Sequence, residues 1–192
     1  MLMIRAIFLI VLAGLTSMTI AEEQNTNQKR LFEELKKGNV VAIMRHALAP
    51  GTGDPENFAV GQCDTQRNLS VEGEKQANRI GDLFRQYGIN TANVFSSQWC
   101  RCMDTATGLE LGAVTELPSI NSFFRRHERK SQQTEKLKAW LKTQKNHTSL
   151  ILVTHQVNIT ALTGIFPSSG EIVFIRTEPA GDIVVEGSIR TN

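Results

Sequence analysis

With 192 residues, 41% of them hydrophobic and 21% charged, the chain has the composition of one globular domain with a core of ordinary size, which excludes a disordered polypeptide. A formal charge of +2, with no long block of cations, leaves no electrostatic footprint for a nucleic-acid partner. A small positive site that captures a phosphate ester remains open.

Taken in order, the chain begins like a secretory signal: Arg5, an apolar run from Ala6 to Leu15, then small and polar residues ending at Thr19, Ile20 and Ala21. Cleavage after Ala21 would release residues 22–192 as a single domain, periplasmic or secreted. The run is short for a bilayer span, so an uncleaved anchor is the alternative, and no later segment is long and apolar enough to cross. Export places Cys63, Cys100 and Cys102 in an oxidising compartment, which predicts one disulfide and one thiol. Cys63 would pair with Cys100 or Cys102, because cysteines two residues apart make a strained bridge. Three buried thiols are the alternative. The cysteine spacing matches no zinc pattern.

Glu22 to Gln28 is polar and predicted to be loose. Leu31, Phe32 and Leu35 then fall at helical spacing, and Gly38 with Asn39 closes that helix. Val40 to Met44 is a continuous apolar strand of the kind buried on both faces of a parallel sheet. It delivers Arg45 and His46 into a loop punctuated by Pro50, Gly51, Gly53 and Pro55, which runs on to Asn68 and is long enough to suggest function. Ser70 reads as the N-cap of a helix whose stripe is Ala77, Ile80, Leu83 and Phe84, ended by Gly88. A strand from Asn93 to Ser96 leads into Ser97, Gln98, Trp99, Cys100 and Arg101, so Arg101 lies on the first helical turn after a strand.

Ala113 to Leu117 is the next predicted strand, and Pro118 to Arg129 an irregular connection. A helix follows from Ser131 to Lys145 through Leu137, Trp140 and Leu141. Leu150 to Val153 is a buried strand ending at Thr154 and His155, Asn158 to Leu162 is helical until Gly164, and Glu171 to Ile175 with Ile183 to Glu186 forms a terminal hairpin. Alternating strands and helices predict a three-layer α/β/α sandwich with a mainly parallel central sheet and antiparallel pairing at one edge. Ligands bind such sheets at the carboxyl edge, and strands end there in Arg45 with His46, Arg101, and His155.

That set suits phosphoryl transfer through a covalent histidine. A neutral imidazole is a competent nucleophile once its second nitrogen is held by an acceptor, which makes His46 the candidate. Arg45 and Arg101 would neutralise the ester oxygens, and His155, protonated beside the dianion, would add a third positive contact. His127 and His147 lie among lysines and arginines and read as surface residues.

The sequence resembles the histidine phosphatase superfamily, with the phosphoglycerate mutase-like fold. Arg45 and His46 match its arginine-histidine signature. Leu69, Ser70, Gly73, Gln76 and Ala77 match its second motif; Ser97, Arg101, Thr105 and Ala106 match its third, and His155 its late histidine. The resemblance covers roughly Val40 to Leu162. It implies phosphorylation of His46, phosphate held by Arg45, Arg101 and His155, and no metal or cofactor. Two departures stand out. Ala47 replaces the usual glycine, and Leu117, Pro118, Ser119, Ile120 and Asn121 occupy a region where relatives carry an acidic proton donor.

Asp54, on a loop able to fold back over the site, is the candidate acid, ahead of Glu56, Asp64 and Glu116. Arg67 is a further phosphate contact or a brace for the loop. The expected activity is metal-independent hydrolysis of a small phosphate monoester. Among exported relatives, one type dephosphorylates heptose in the lipopolysaccharide core, which makes a phosphorylated envelope sugar the substrate by analogy. The alternative is a phosphate-binding module that lost its proton donor.

Overall fold

The computed structural model describes residues 22–144 and 148–191; the expected signal segment and His147 lie outside the described residues. Six strands form one sheet in the order β3-β2-β4-β1-β5-β6. They are β1 (Val41–Arg45), β2 (Asn93–Ser96), β3 (Val114–Glu116), β4 (Leu150–Thr154), β5 (Ile172–Thr177) and β6 (Ile183–Ile189). The first four run parallel, with Met44 beside Val153, Phe95 beside Leu152 and Val94 beside Val114. β5 and β6 are antiparallel to their neighbours, so the mixed part of the sheet is two strands deep.

Helices cover both faces. On one side α1 (22–36), α2 (Val71–Gln86) and α3 (Cys100–Gly108) pack Leu31, Phe32, Leu35, Ile80, Phe84 and Ala106 against Ala42, Met44, Ile151 and Val153. On the other, α4 (Lys130–Thr143) and α5 (Gln156–Thr163) pack Leu137, Leu141, Ile159 and Leu162 against Ile43, Leu150, Leu152 and Val173. Alternate residues of β1 and β4 thus enter opposite cores, the period-two pattern of a strand buried on both faces. This is the predicted three-layer α/β/α sandwich.

The stretch 22–28, expected to be loose, is helical. Its side chains face solvent, and Thr26 Oγ1 donates to Glu22 O at 2.8 Å while Asn27 Oδ1 accepts from Arg30. Polarity there reports which way the helix faces, not that it is absent. The predicted N-cap is in place: Ser70 Oγ accepts from Gly73 N at 3.1 Å. Gly73 is required by packing, since a Cβ there would stand 2.0 Å from Leu48 O, in the loop that follows β1. Helix α2 therefore presses directly on the backbone leaving His46. Two short 3-10 turns, Pro118–Ile120 and His127–Arg129, give shape to the connection predicted as irregular.

Candidate active site

Four parallel strands send their carboxyl ends to one edge, and the chain leaving three of them builds the site. His46 follows β1, Ser97 and Arg101 follow β2, and His155 follows β4. Because β4 lies between β1 and β2, the two imidazoles become neighbours, with ring centroids 5.6 Å apart and planes at 69°. They line a cavity of about 230 Å³ together with Arg45, Arg67, Arg101 and Asp54.

His46 is nearly inaccessible, with 2% of its surface exposed. Its Nδ1 lies 2.8 Å from Ala47 O; a carbonyl can only accept, so Nδ1 carries the proton and Nε2 keeps its lone pair. The main chain holds the residue from both sides, His46 N donating to Thr154 O and Gly170 N to His46 O. Ala47 N donates to Thr105 Oγ1 at 3.0 Å, and that hydroxyl donates to Arg101 O at 2.7 Å. Gln76 completes the clamp, accepting from Leu48 N and donating to Ser169 O. Ala47 sits here without strain, since Glu110 is the one non-glycine residue with positive φ among the described residues. Burial, then the charges of Arg101 and Arg45, push the His46 imidazole well below its ordinary 6.5. The nucleophilic form is therefore the resting form at neutral pH.

His155 is fixed by a different chain of bonds. Asn121 Oδ1 accepts from Gln98 N at 2.9 Å and from Ser97 Oγ at 3.2 Å. With its proton committed to Asn121, the Ser97 hydroxyl accepts from His155 Nε2 at 2.8 Å. Nδ1 is left as a lone pair 3.5 Å from Arg101 Nη2. Burial, Arg101 and His46 lower the pKa of His155 well below 6.5, so without an anion it is neutral. Cys102 Sγ lies 3.5 Å from Nε2, and burial pushes this thiol up to about 12, leaving it an inert filler.

The guanidiniums show an electrostatic deficit. Arg45 donates to Pro167 O at 3.0 Å, and its Nε is buried without a partner. Arg101 is 2% exposed, and its Nε is also unpartnered. A buried donor left empty costs about 1–3 kcal/mol. Arg67 braces the loop, its Nε donating to Gly53 O at 2.8 Å and its Nη1 to Ala49 O, and it also lines the cavity. Burial, then Arg101, lowers its pKa to about 10.

Asp54 does fold back over the site, but as an ion pair. Its carboxylate accepts from Arg101 Nη1 at 2.6 Å and Nη2 at 3.2 Å, from Trp99 Nε1 at 3.0 Å and from Arg67 N at 3.2 Å. Burial pushes this carboxyl up, yet the Arg101 bond and charge, Trp99 and the Arg67 amide outweigh it and hold it below the usual 3.8. Glu56 lines the adjoining cleft, Asp64 lies exposed in the turn Cys63–Thr65, and Glu116 is exposed at the end of β3, bonded to Gln98 Nε2.

The long loop is strapped to α3. Cys63 pairs with Cys100, Cα atoms 5.6 Å apart, and Cys102 is the buried thiol. Cys100 N donates to Gln66 Oε1 at 3.0 Å, and Arg101 Nη1 to Arg67 O at 3.1 Å. Gln66, and the use of Asn121 to orient His155, have no signal in the sequence, because each works only through a residue distant in the chain.

A family model, the histidine phosphatase superfamily (branch 1), matches residues 41–123. In structure the chain is similar to the protein histidine phosphatase SixA complexed with tungstate, at 15% identity over 79% of this chain and 97% of that one, TM-score 0.55. A phosphoserine phosphatase mutant from Entamoeba histolytica in complex with phosphoserine aligns at 15% identity over 80% and 98%, TM-score 0.56. A mycobacterial glucosyl-3-phosphoglycerate phosphatase aligns at 12% over 77% and 96%, TM-score 0.52. At these identities the likeness is one of fold. No curated protein matches the chain.

Proposed function

We propose that the protein is a metal-independent phosphomonoesterase working through a phosphohistidine on His46. The observation that carries this reading is a neutral imidazole with Nδ1 tied to Ala47 O and Nε2 free, in a cavity lined by three guanidiniums. His46 Nε2 forms a bond to phosphorus as the bond to the leaving oxygen breaks. Arg45, Arg67 and Arg101 take the charge on the equatorial oxygens. His155, given a proton at Nδ1 as the dianion arrives, adds a donor. Water then attacks the phosphohistidine, the N–P bond breaks, and phosphate leaves with His46 neutral again.

The leaving oxygen needs a proton, and Asp54 supplies it. An arriving dianion competes with the carboxylate for Arg101 and, as a like charge, raises its pKa, turning a salt-bridge partner into an acid. Export, and an envelope sugar phosphate as substrate, belong to the same proposal.

Incubation with a labelled phosphate ester should give acid-labile label on His46, absent in His46→Ala. Turnover of p-nitrophenyl phosphate should survive exhaustive chelation. Asp54→Asn should slow esters of poor leaving groups about 10²-fold more than p-nitrophenyl phosphate, whose leaving group needs little help. The ion pair that occupies Asp54 also favours a second reading, a phosphate-binding module without turnover. Tight phosphate binding with neither label nor product would establish that reading and end the first.

A further inference from the structure

A second depression, of about 730 Å³, opens beside the catalytic cavity and shares Gly53, Asp54, Ser122 and Phe124 with it. Asp54, proposed above as the acid for the leaving oxygen, borders both, which on that reading puts the cleft on the leaving-group side. Its apolar wall includes Val60 and Phe124, which are 47% and 42% exposed, and Phe58 stacked on Trp99 with centroids 4.7 Å apart. Its opposite character comes from Arg125, Arg126 and Arg129, all exposed.

None of the ion pairs among the described residues includes any of these three arginines. Glu56 is the only carboxylate on the wall besides Asp54, which is already held by Arg101. The arginines do not hang on a floppy loop. Ile120 and Phe123 of the same connection are buried, Arg126 N donates to Phe123 O at 2.8 Å, and Arg129 N to Arg126 O at 2.9 Å. The backbone is thus set in consecutive turns that present guanidiniums to one concavity. Arg125 lies over Gly53, its Nη2 3.2 Å from where a Cβ would stand, at the rim between cavity and cleft. All three line the same concavity, and that concavity adjoins the cavity at Gly53 and Asp54.

We propose that the cleft is a leaving-group subsite for a second anion: the substrate is a phosphorylated sugar bearing a further phosphate or carboxylate, seated on Arg125, Arg126 and Arg129. This rests on the reading of the catalytic cavity given above. The sugar body lies along Phe58, Val60 and Phe124, and the remote charge is met by guanidinium forks that recognise phosphate or carboxylate geometry.

The test compares glucose 6-phosphate, glucose 1,6-bisphosphate and glucuronic acid 1-phosphate, with each kcat/KM divided by the same preparation's value for p-nitrophenyl phosphate. At least one doubly anionic ester should exceed glucose 6-phosphate about tenfold, the factor expected of one charge-assisted contact at an accessible site. The arm with the larger gain identifies phosphate or carboxylate. The advantage should shrink at higher salt and fall towards unity in the Arg126→Gln/Arg129→Gln double variant. Equal values for all three esters, or an advantage the double variant retains, overturns the subsite. Should p-nitrophenyl phosphate not be turned over, the hydrolytic reading fails by itself. Calorimetric titration with glucose 1,6-bisphosphate and glucose 6-phosphate then decides the subsite: tighter binding of the bisphosphate, lost in the double variant, supports it, and equal affinity removes it.

Discussion

The floor of the catalytic cavity and the arginine cleft beside it are both cationic, yet they are built in opposite ways. On the floor, His46, His155 and Arg101 are at most 4% exposed, and each is fixed by a close partner: Ala47 O, Ser97 Oγ and the Asp54 carboxylate. In the cleft, Arg125, Arg126 and Arg129 are exposed and, among the described residues, joined to no carboxylate. A buried charge must be paired or hydrogen-bonded, so the floor can take only one arrangement, suited to one small tetrahedral anion. An exposed guanidinium costs little and can be moved or replaced. On the proposed function, the chemistry would be lodged where substitution is expensive and the choice of ester where it is cheap.

This contrast can be broken by substitution. Arg101→Leu is expected to have the largest effect, because it strips Asp54, partly buried, of the guanidinium that pairs its charge and leaves it only Trp99 Nε1 and Arg67 N. The stability loss should be about 3–5 kcal/mol, read by denaturant melts, and turnover of p-nitrophenyl phosphate should fall at least about 10³-fold. If unfolding stays within 1 kcal/mol of wild type by melt (roughly the range of a surface change), the floor is not the rigid unit described.

Opening the strap comes next. Cys63→Ser/Cys100→Ser releases a loop closed across a separation of 37 residues, and chain-entropy reasoning places the cost at roughly 3–4 kcal/mol. The midpoint should drop by about 6–16 °C for a domain of this size. The same variant should lose activity through misplacement of Asp54 and Arg67.

Acid should then distinguish the two regions. Both buried imidazoles resist protonation when folded, whereas the unfolded chain protonates them near 6.5. The folded state thus binds fewer protons, stability is complete above about pH 6.5, and it declines below, by up to about 1.4 kcal/mol per pH unit for each histidine. The Asp54 pair acts in a separate, lower window, its contribution present above its unfolded value near 3.8 and lost as pH falls through the depressed folded one. In His155→Gln the slope below pH 6.5 should be about halved; an unchanged slope would locate the acid sensitivity elsewhere.

The smallest effect belongs to the cleft. Arg126→Gln or Arg129→Gln should shift stability by no more than about 0.5 kcal/mol. A larger loss in melts would mean that these arginines brace the connection around Ile120 and Phe123.

Local sequence carried much of this molecule. The apolar runs at Val41–Arg45 and Leu150–Thr154, the Ser70 cap and the Gly88 and Gly164 stops could be read because each depends on neighbours within a turn or a strand. For the same reason the pairing of Arg45 with His46 at a strand end was visible. The protonation of His155 was not, since it depends on Ser97 and Asn121 from two other elements and on burial by a third. Nor was the commitment of Asp54 to Arg101 across 47 residues.

What the amino-acid sequence determined alone was the alternation of strands and helices and the placing of imidazole and guanidinium groups at strand ends, because periodicity and capping are short-range. Only the tertiary structure decided the strand order that sets β4 between β1 and β2, which cysteine closes the strap, and where three unremarkable arginines converge. Those outcomes depend on how two cores fill on either face of one sheet, and that is a property of the whole chain at once.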